Sequence, residues 1–265
     1  MQEERTRAIV LRTRAHGESD KIVTFLTQDW GKITGIAKGA KRSRRRFVNV
    51  LEPFTHVALR FRPSRSDGLA FILGCDWIRT YRSPGQDLKK FACASYMAEL
   101  TDVMVAGREA GQETYLLLLH SLSALEDHPV LPTLFLPAFE LRLLIDAGYA
   151  PNMTDCQLCG TALTPDDHTL AFSPSLSGLV CSQCAAQAGA IFRLSTETLM
   201  LFQIWLTSEQ SVFPLPDISL RAVQETRGLV SRLLTQHLPR PLKSATFLDQ
   251  MNIVSHASID DPQTG

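Results

Sequence analysis

Asp20-Lys21-Ile22-Val23-Thr24-Phe25-Leu26-Thr27, followed by Asp29-Trp30-Gly31 and then Lys32-Ile33-Thr34-Gly35-Ile36-Ala37-Lys38, is the stretch on which the fold turns. Two runs rich in Ile, Val, Thr and Phe flank a short turn that ends in glycine, as two successive strands require. Upstream, Thr6–Arg12 contains Ile9-Val10-Leu11. Downstream, Phe54–Phe61 places Thr55, Val57, Leu59 and Phe61 on one face by alternation, and Leu69–Ile78 is a last, mostly apolar run. Five short strands separated by Gly, Asp and Ser turns predict a small antiparallel barrel or sandwich over residues 1–80, and a five-stranded barrel of the OB type fits this length.

After Pro84 the apolar period lengthens from two to that of a helix. Leu88, Ala92, Tyr96, Leu100 and Val103 mark one face; Tyr115, Leu118, Leu122 and Leu125 a second; Leu134, Ala138, Leu141 and Ile145 a third, stopped at Gly148. Pro137 falls inside the third run and is expected to kink or delay it. Helical spacing returns at Leu199, Phe202 and Leu206, with Ser195 as N-cap, and again at Leu220, Val223, Val230 and Leu234. The chain thus reads as α+β and multidomain. The barrel precedes an α-helical domain (81–150 and 191–250) that is interrupted by a cysteine-bearing insertion (151–190), and 251–265 reads as a flexible tail.

The insertion holds Cys156-Gln157-Leu158-Cys159-Gly160 and, after a gap of 21 residues, Cys181-Ser182-Gln183-Cys184. Two Cys-x-x-Cys knuckles supply four thiolates to one tetrahedral zinc, and four protein ligands leave no open position, so such a zinc is structural. An iron–sulfur cluster uses the same ligands and stays open as a competitor. A redox dithiol needs only one pair. Pro165, Pro174 and Gly178 in the gap suit a hairpin loop. His168 is expected in a loop, and the isolated Cys75 and Cys93 as small core residues. A catalytic zinc of the deaminase type needs His-x-Glu followed by Pro-Cys-x-x-Cys; His16-Gly17-Glu18 lies 140 residues before Cys156, and Asp155 stands where the proline belongs.

The net charge is zero, yet it is unevenly spread. Residues 1–80 hold 16 Lys and Arg against 8 Asp and Glu; residues 81–265 hold 11 against 19. Within the first part, Lys38-Gly39-Ala40-Lys41-Arg42-Ser43-Arg44-Arg45-Arg46 has six positive charges in nine residues and no acid. Between two strands, with Gly and Ser to keep it flexible, such a run suits phosphate contacts. Arg5, Arg7, Arg12 and Arg14 lie nearby in sequence; Arg12 and Arg14 share a face if the strand continues, as do Arg60 and Arg62. Phe47 reads either as a base-stacking ring or as a core residue. No run approaches the ~18 apolar residues of a membrane span, and the opening Met1-Gln2-Glu3-Glu4-Arg5 has no apolar stretch behind it, so a cytoplasmic chain with reduced cysteines is expected. Phosphate-loop, dinucleotide-binding and nucleophile-elbow motifs are missing from the sequence. Nothing argues for an enzyme.

Ala8-Ile9-Val10-Leu11, Glu18-Ser19-Asp20-Lys21-Ile22-Val23, Thr27, Gly31 and Ala37-Lys38-Gly39-Ala40-Lys41-Arg42 together resemble the start of the bacterial RecO recombination mediators. The order of barrel, helices and a four-cysteine insertion after the third helix is similar as well. The resemblance implies an OB-fold that binds single-stranded and double-stranded DNA and anneals complementary strands. It also implies partnership with RecR and with the C-terminal tail of single-strand-binding protein, so that RecA recombinase is loaded in DNA repair by the RecFOR pathway. Carried over by position, it places DNA on Lys38, Lys41, Arg42, Arg44, Arg45 and Arg46, with Arg12 and Arg14 beside them. It places one structural Zn2+ on Cys156, Cys159, Cys181 and Cys184, in a cytoplasmic, nucleoid-associated protein. The rival readings are a zinc-ribbon nucleic-acid adaptor of transcription or RNA processing, and a metal-dependent enzyme.

Overall fold

A computed structural model describes residues 2–64, 68–105, 111–164, 170–208 and 215–250. Five strands follow one another: β1 (Glu4–His16), β2 (Asp20–Thr27), β3 (Lys32–Ala37), β4 (His56–Arg62) and β5 (Ala70–Arg79). They close in the order β1-β2-β3-β5-β4, with β4 paired back onto β1. The alternation seen in sequence sets which side chains fill the lumen: Val57, Leu59 and Phe61 of β4 are buried with Ala8, Val10, Val23, Phe25, Ile33 and Ile72. Each aliphatic or aromatic side chain taken from water in this way contributes about 1.5–3 kcal/mol.

One strand pair departs from the antiparallel expectation. β3 and β5 are parallel, joined at Gly35–Ala70 and Ile36–Phe71. β4 lies between them in sequence but pairs on the far side of β5, which reverses their relation. This parallel closure is the mark of an OB-type barrel, and it needs Gly35. A Cβ there would overlap the Ile72 side chain and lie 2.9 Å from the Ala70 carbonyl oxygen.

The described residues divide into two compact units, 2–130 with 240–250, and 131–239. In the first, the barrel is joined by α1 (Ser83–Gln86), α2 (Leu88–Met104), α3 (Gln112–Asp127) and, by sequence below, the last helix of the chain. Asp87 caps α2 by accepting from the N–H groups of Lys89 and Lys90. Asp102 near the C-terminal end of α2 is salt-bridged to Arg12 of β1 at 3.1 Å and Lys32 of β3 at 3.4 Å. His56 of β4 and the Tyr115 hydroxyl of α3 are hydrogen-bonded at 2.7 Å in a buried position; burial holds His56 below the usual histidine range and lifts Tyr115 to about 12. Cys75 and Cys93 are core residues, both thiols pushed up to about 12 by burial.

In the second unit, α4 (Phe135–Asp146) leads into a three-stranded sheet of β6 (Ala171–Ser173), β7 (Gly178–Val180) and β8 (Phe192–Arg193), then α5 (Thr196–Thr207) and α6 (Leu220–His237). Pro137 neither kinks nor breaks α4. It sits in the first turn, where its missing N–H has no intrahelical acceptor. Gly148 ends the segment at φ 85°, the left-handed conformation that glycine adopts without strain. Ser195 caps α5 by accepting from the Thr198 N–H. The chain then returns to the first unit with α7 (Lys243–Gln250), packed on α2. Among the described residues no helix is long and apolar enough to cross a membrane. His168 and the 251–265 segment lie outside the described residues.

Candidate functional site

The basic run connects β3 to β4, and its form follows from what it buries. Ala40, Phe47, Val50 and Leu51 turn into the barrel core, while Lys38, Lys41, Arg42, Arg44, Arg45 and Arg46 stay exposed. Phe47 is therefore a core residue and is not placed to stack on a base. The segment is also tethered, against the expectation of a flexible loop. Gly39, at φ 69°, opens a 3-10 turn over Ala40–Arg42. Asp20 Oδ1 accepts from the Gly39 N–H at 2.8 Å and from the Ser19 hydroxyl at 2.7 Å. The Gly39 N–H first, and Ser19 next, hold the Asp20 carboxyl below the usual carboxylate range. The Lys41 N–H donates to the Ser19 carbonyl at 2.9 Å, its ammonium to the Gly17 carbonyl at 2.7 Å, and the Phe47 N–H to the Ser43 hydroxyl at 3.2 Å.

These contacts hold the start of the basic run, Gly39 and Lys41, against the β1–β2 turn. Lys38 lies 6.0 Å from the Phe71 ring centre; Arg46 covers the Phe47 ring and donates to the Lys38 carbonyl. Arg42, Arg44 and Arg45 are exposed and make no ion pair among the described residues. Arg14 is exposed on β1 near the turn. Arg12 differs, because its guanidinium is engaged by Asp102 and lies 3.4 Å from the Thr24 hydroxyl. Neither Asp20 as anchor nor Asp102 as the partner of Arg12 was identified from sequence. Asp102 lies 90 positions from Arg12, and Asp20 sits in an otherwise ordinary strand start.

The four cysteines converge. Their sulfurs lie within 4.8 Å of one another, with Cys159 and Cys181 at 3.7 Å. Metal–sulfur bonds of about 2.3 Å put the sulfurs of a tetrahedral site about 3.8 Å apart, so the set fits a four-thiolate metal. Local folding explains the convergence. The Gly160 N–H closes the first knuckle on the Cys156 carbonyl at 2.8 Å, with Gly160 at φ 73°; the Cys184 N–H closes the second on the Cys181 carbonyl at 3.1 Å. The β6–β7 hairpin, turned through Pro174–Leu176, carries the second knuckle to the first. Gly178 is bare because a Cβ would meet the Gln157 side chain.

The electrostatics also suit a cation. Burial pushes the Cys156 thiol up, but the N–H groups of Cys181, Cys159 and Leu158 outweigh it and draw the thiol down to about 6. Thr161, hydrogen-bonded to Cys159 at 3.3 Å, holds that thiol below its usual range. Cys184, surrounded by the other sulfurs, with Cys181 the strongest influence, is pushed up to about 12. Four thiolates do not gather unaided, and a coordinated divalent ion removes the repulsion.

Comparison with known proteins agrees with both halves. The family description "Recombination protein O N terminal" matches residues 1–81, and "Recombination protein O C terminal" matches residues 85–246. "DNA repair protein RecO" of Anaeromyxobacter sp. (strain Fw109-5) is 34% identical over 255 residues, covering 92% of this chain and 94% of that relative. The protein of the same description from Nocardioides sp. (strain ATCC BAA-499 / JS614) is 35% identical over 248 residues, covering 93% and 99%. That of Thermoanaerobacter sp. (strain X514) is 30% identical over 247 residues, covering 93% and 97%. With an OB-type barrel, a helical part and a four-cysteine cluster in the matching order, this chain belongs to the RecO family of DNA repair proteins.

Proposed function

We propose that this protein is a non-enzymatic recombination mediator that binds single- and double-stranded DNA, anneals complementary strands and, with RecR, helps load RecA onto DNA coated by single-strand-binding protein. The observation that carries the reading is the row of exposed cations on the barrel, anchored at its start through Gly39 and Lys41. Lys38, Lys41, Arg42, Arg44, Arg45 and Arg46 contact phosphates, with Arg14 at the margin. Arg12 contributes less, since Asp102 already balances its charge. Screening the repulsion between two backbones lets complementary bases meet, and no covalent chemistry is needed. Cys156, Cys159, Cys181 and Cys184 hold one structural Zn2+, which stabilises the hairpin between α4 and α5.

The test is annealing of complementary strands coated with single-strand-binding protein, with and without RecR. Faster annealing than the spontaneous rate supports the reading, and RecR-dependent RecA filament growth extends it. A protein that binds DNA but leaves both rates unchanged contradicts it. Charge reversal at Arg44, Arg45 and Arg46 is expected to abolish annealing yet spare binding of the single-strand-binding protein's C-terminal tail peptide. Equal loss of both in a folded variant shows that the two surfaces are one.

A further inference from the structure

We infer that Trp77 is a base-stacking platform for unpaired nucleic acid, set at the end of the strand along which the basic segment runs. The inference rests on the DNA-binding role proposed for that segment and adds a contact of a different kind.

Trp77 lies near the end of β5, in register with Val57 of β4. Two residues earlier, Cys75 faces the core; Trp77 follows on the same side of the strand, yet the residue is 59% exposed. Its indole N–H is held by the Thr80 hydroxyl, so the ring is oriented. An aromatic of this size left in water at a defined angle forgoes a substantial burial gain. The other aromatic that sequence offered for stacking, Phe47, is buried.

The basic segment reaches this ring along β5. Lys38 lies over Phe71 near the strand's start, and the Arg46 carbonyl accepts from the Cys75 N–H at 3.5 Å. The segment's backbone therefore runs in the same direction as β5 and brings the Arg46 carbonyl two residues short of Trp77, about 7 Å along the strand, while the Arg46 guanidinium turns back to the Lys38 carbonyl. The neighbouring acid, Asp76, projects from the opposite face, where it lies 3.9 Å from Arg60. By the β4–β5 register Phe71, under Lys38, shares the Asp76 face, so Trp77 lies across the strand from that cation. A strand whose phosphates meet the basic segment would turn a base over the edge onto the ring, the pairing of basic groove and aromatic face that single-strand binders use. Stacking needs an unstacked base, so the occupant is a single strand rather than a duplex.

Trp77→Ala should lower affinity for oligothymidylate about tenfold at fixed salt, leave the salt dependence unchanged, and have little effect on duplex or on an abasic oligomer of the same length. Trp77→Phe should restore most of the loss. In a variant that keeps Trp77 but carries Trp30→Phe and Trp205→Phe, oligothymidylate should quench the fluorescence and the abasic oligomer should not. Equal affinity of Trp77→Ala and the parent for oligothymidylate, or equal losses on oligothymidylate, abasic oligomer and duplex, overturns the inference. The underlying reading fails separately. If alanine at Arg42, Arg44, Arg45 and Arg46 leaves the salt slope unchanged, the segment is not the DNA site, whatever Trp77 does.

Discussion

A single carboxylate sets the form of the basic segment. Asp20 receives the Gly39 N–H at the point where the chain leaves β3, so the start of the basic run is fixed to the β1–β2 turn. Its depressed pKa has a sign. The anchoring is fully present above the ordinary aspartate value and is lost as pH falls through the lower, folded value. In a pH titration followed by NMR, the Gly39 amide shift should have its midpoint below 3.8; a midpoint at or above that value contradicts the anchor. Asp20→Ala should speed amide exchange at Gly39 and Lys41 without unfolding the barrel, and unchanged exchange would dismiss the role. None of this was visible in the sequence, where Asp20 is one polar residue before an apolar run. The six cations were visible, because charge needs no fold to be counted. Their tethering was not, since Phe47 and Ala40 show their burial only once the barrel supplies a core.

The long elements were legible because their apolar period repeats often enough to be unambiguous. β4 and α2 fall where the Phe54–Phe61 alternation and the Leu88–Val103 spacing put them. The elements that escaped are short. β6, β7 and β8 have two or three residues each, too few for a period to show, and lie beside the two cysteine knuckles. The eight-residue α7 depends on a partner distant in sequence. Glu99 of α2 accepts from the N–H groups of Lys243 and Ser244, from the Ser244 hydroxyl and from Arg240, which tethers the first turn of α7. Burial pushes Glu99 up, but these donors outweigh it and hold it below its usual value. Glu99→Ala should destabilise by about 1–2 kcal/mol. The contribution is lost as pH falls through the folded pKa of Glu99. Urea titrations from pH 7 down to the lowest pH at which both proteins stay folded should show their difference shrinking, and a constant difference would refute the cap. The knuckles make a second test at this scale. Elemental analysis should give one zinc per chain, and iron with a visible chromophore would reject zinc. A chelator should loosen Cys156–Cys184 while Leu229–Leu234 of α6 stay protected in hydrogen exchange; although α6 touches Pro174–Leu176 of the insertion, it has a hold outside it through Glu225, whose carboxylate accepts from the Ser195 N–H and the Thr198 hydroxyl of the α5 cap. Simultaneous loss of protection in α6 would contradict that separate hold.

Across the whole molecule the charge is divided, +8 over residues 1–80 and −8 over residues 81–265. A chain neutral in sum thus presents a cationic barrel, and its DNA affinity should depend steeply on salt. Each phosphate neutralised on a single strand contributes about −0.7 to the log–log slope, so four or five contacts give about −3 to −3.5. Alanine at Arg42, Arg44, Arg45 and Arg46 should flatten the slope by about 2–3. Folding should be little affected, because exposed like charges are being removed. Parallel salt titrations of parent and variant decide the matter; identical slopes move the DNA site elsewhere.

The two-residue parallel pairing of β3 with β5 sets the order in which the barrel can assemble. β1, β2 and β3 form a meander from neighbouring segments with short turns, so their pairing carries little loop-closure entropy. The clasp at Gly35–Ala70 and Ile36–Phe71 joins segments 35 positions apart and must wait for β5. During synthesis the barrel stays an open sheet until about residue 79 has left the ribosome, and the clasp forms late. A wedge at that point, Gly35→Ala, should therefore speed unfolding and leave the folding rate nearly untouched.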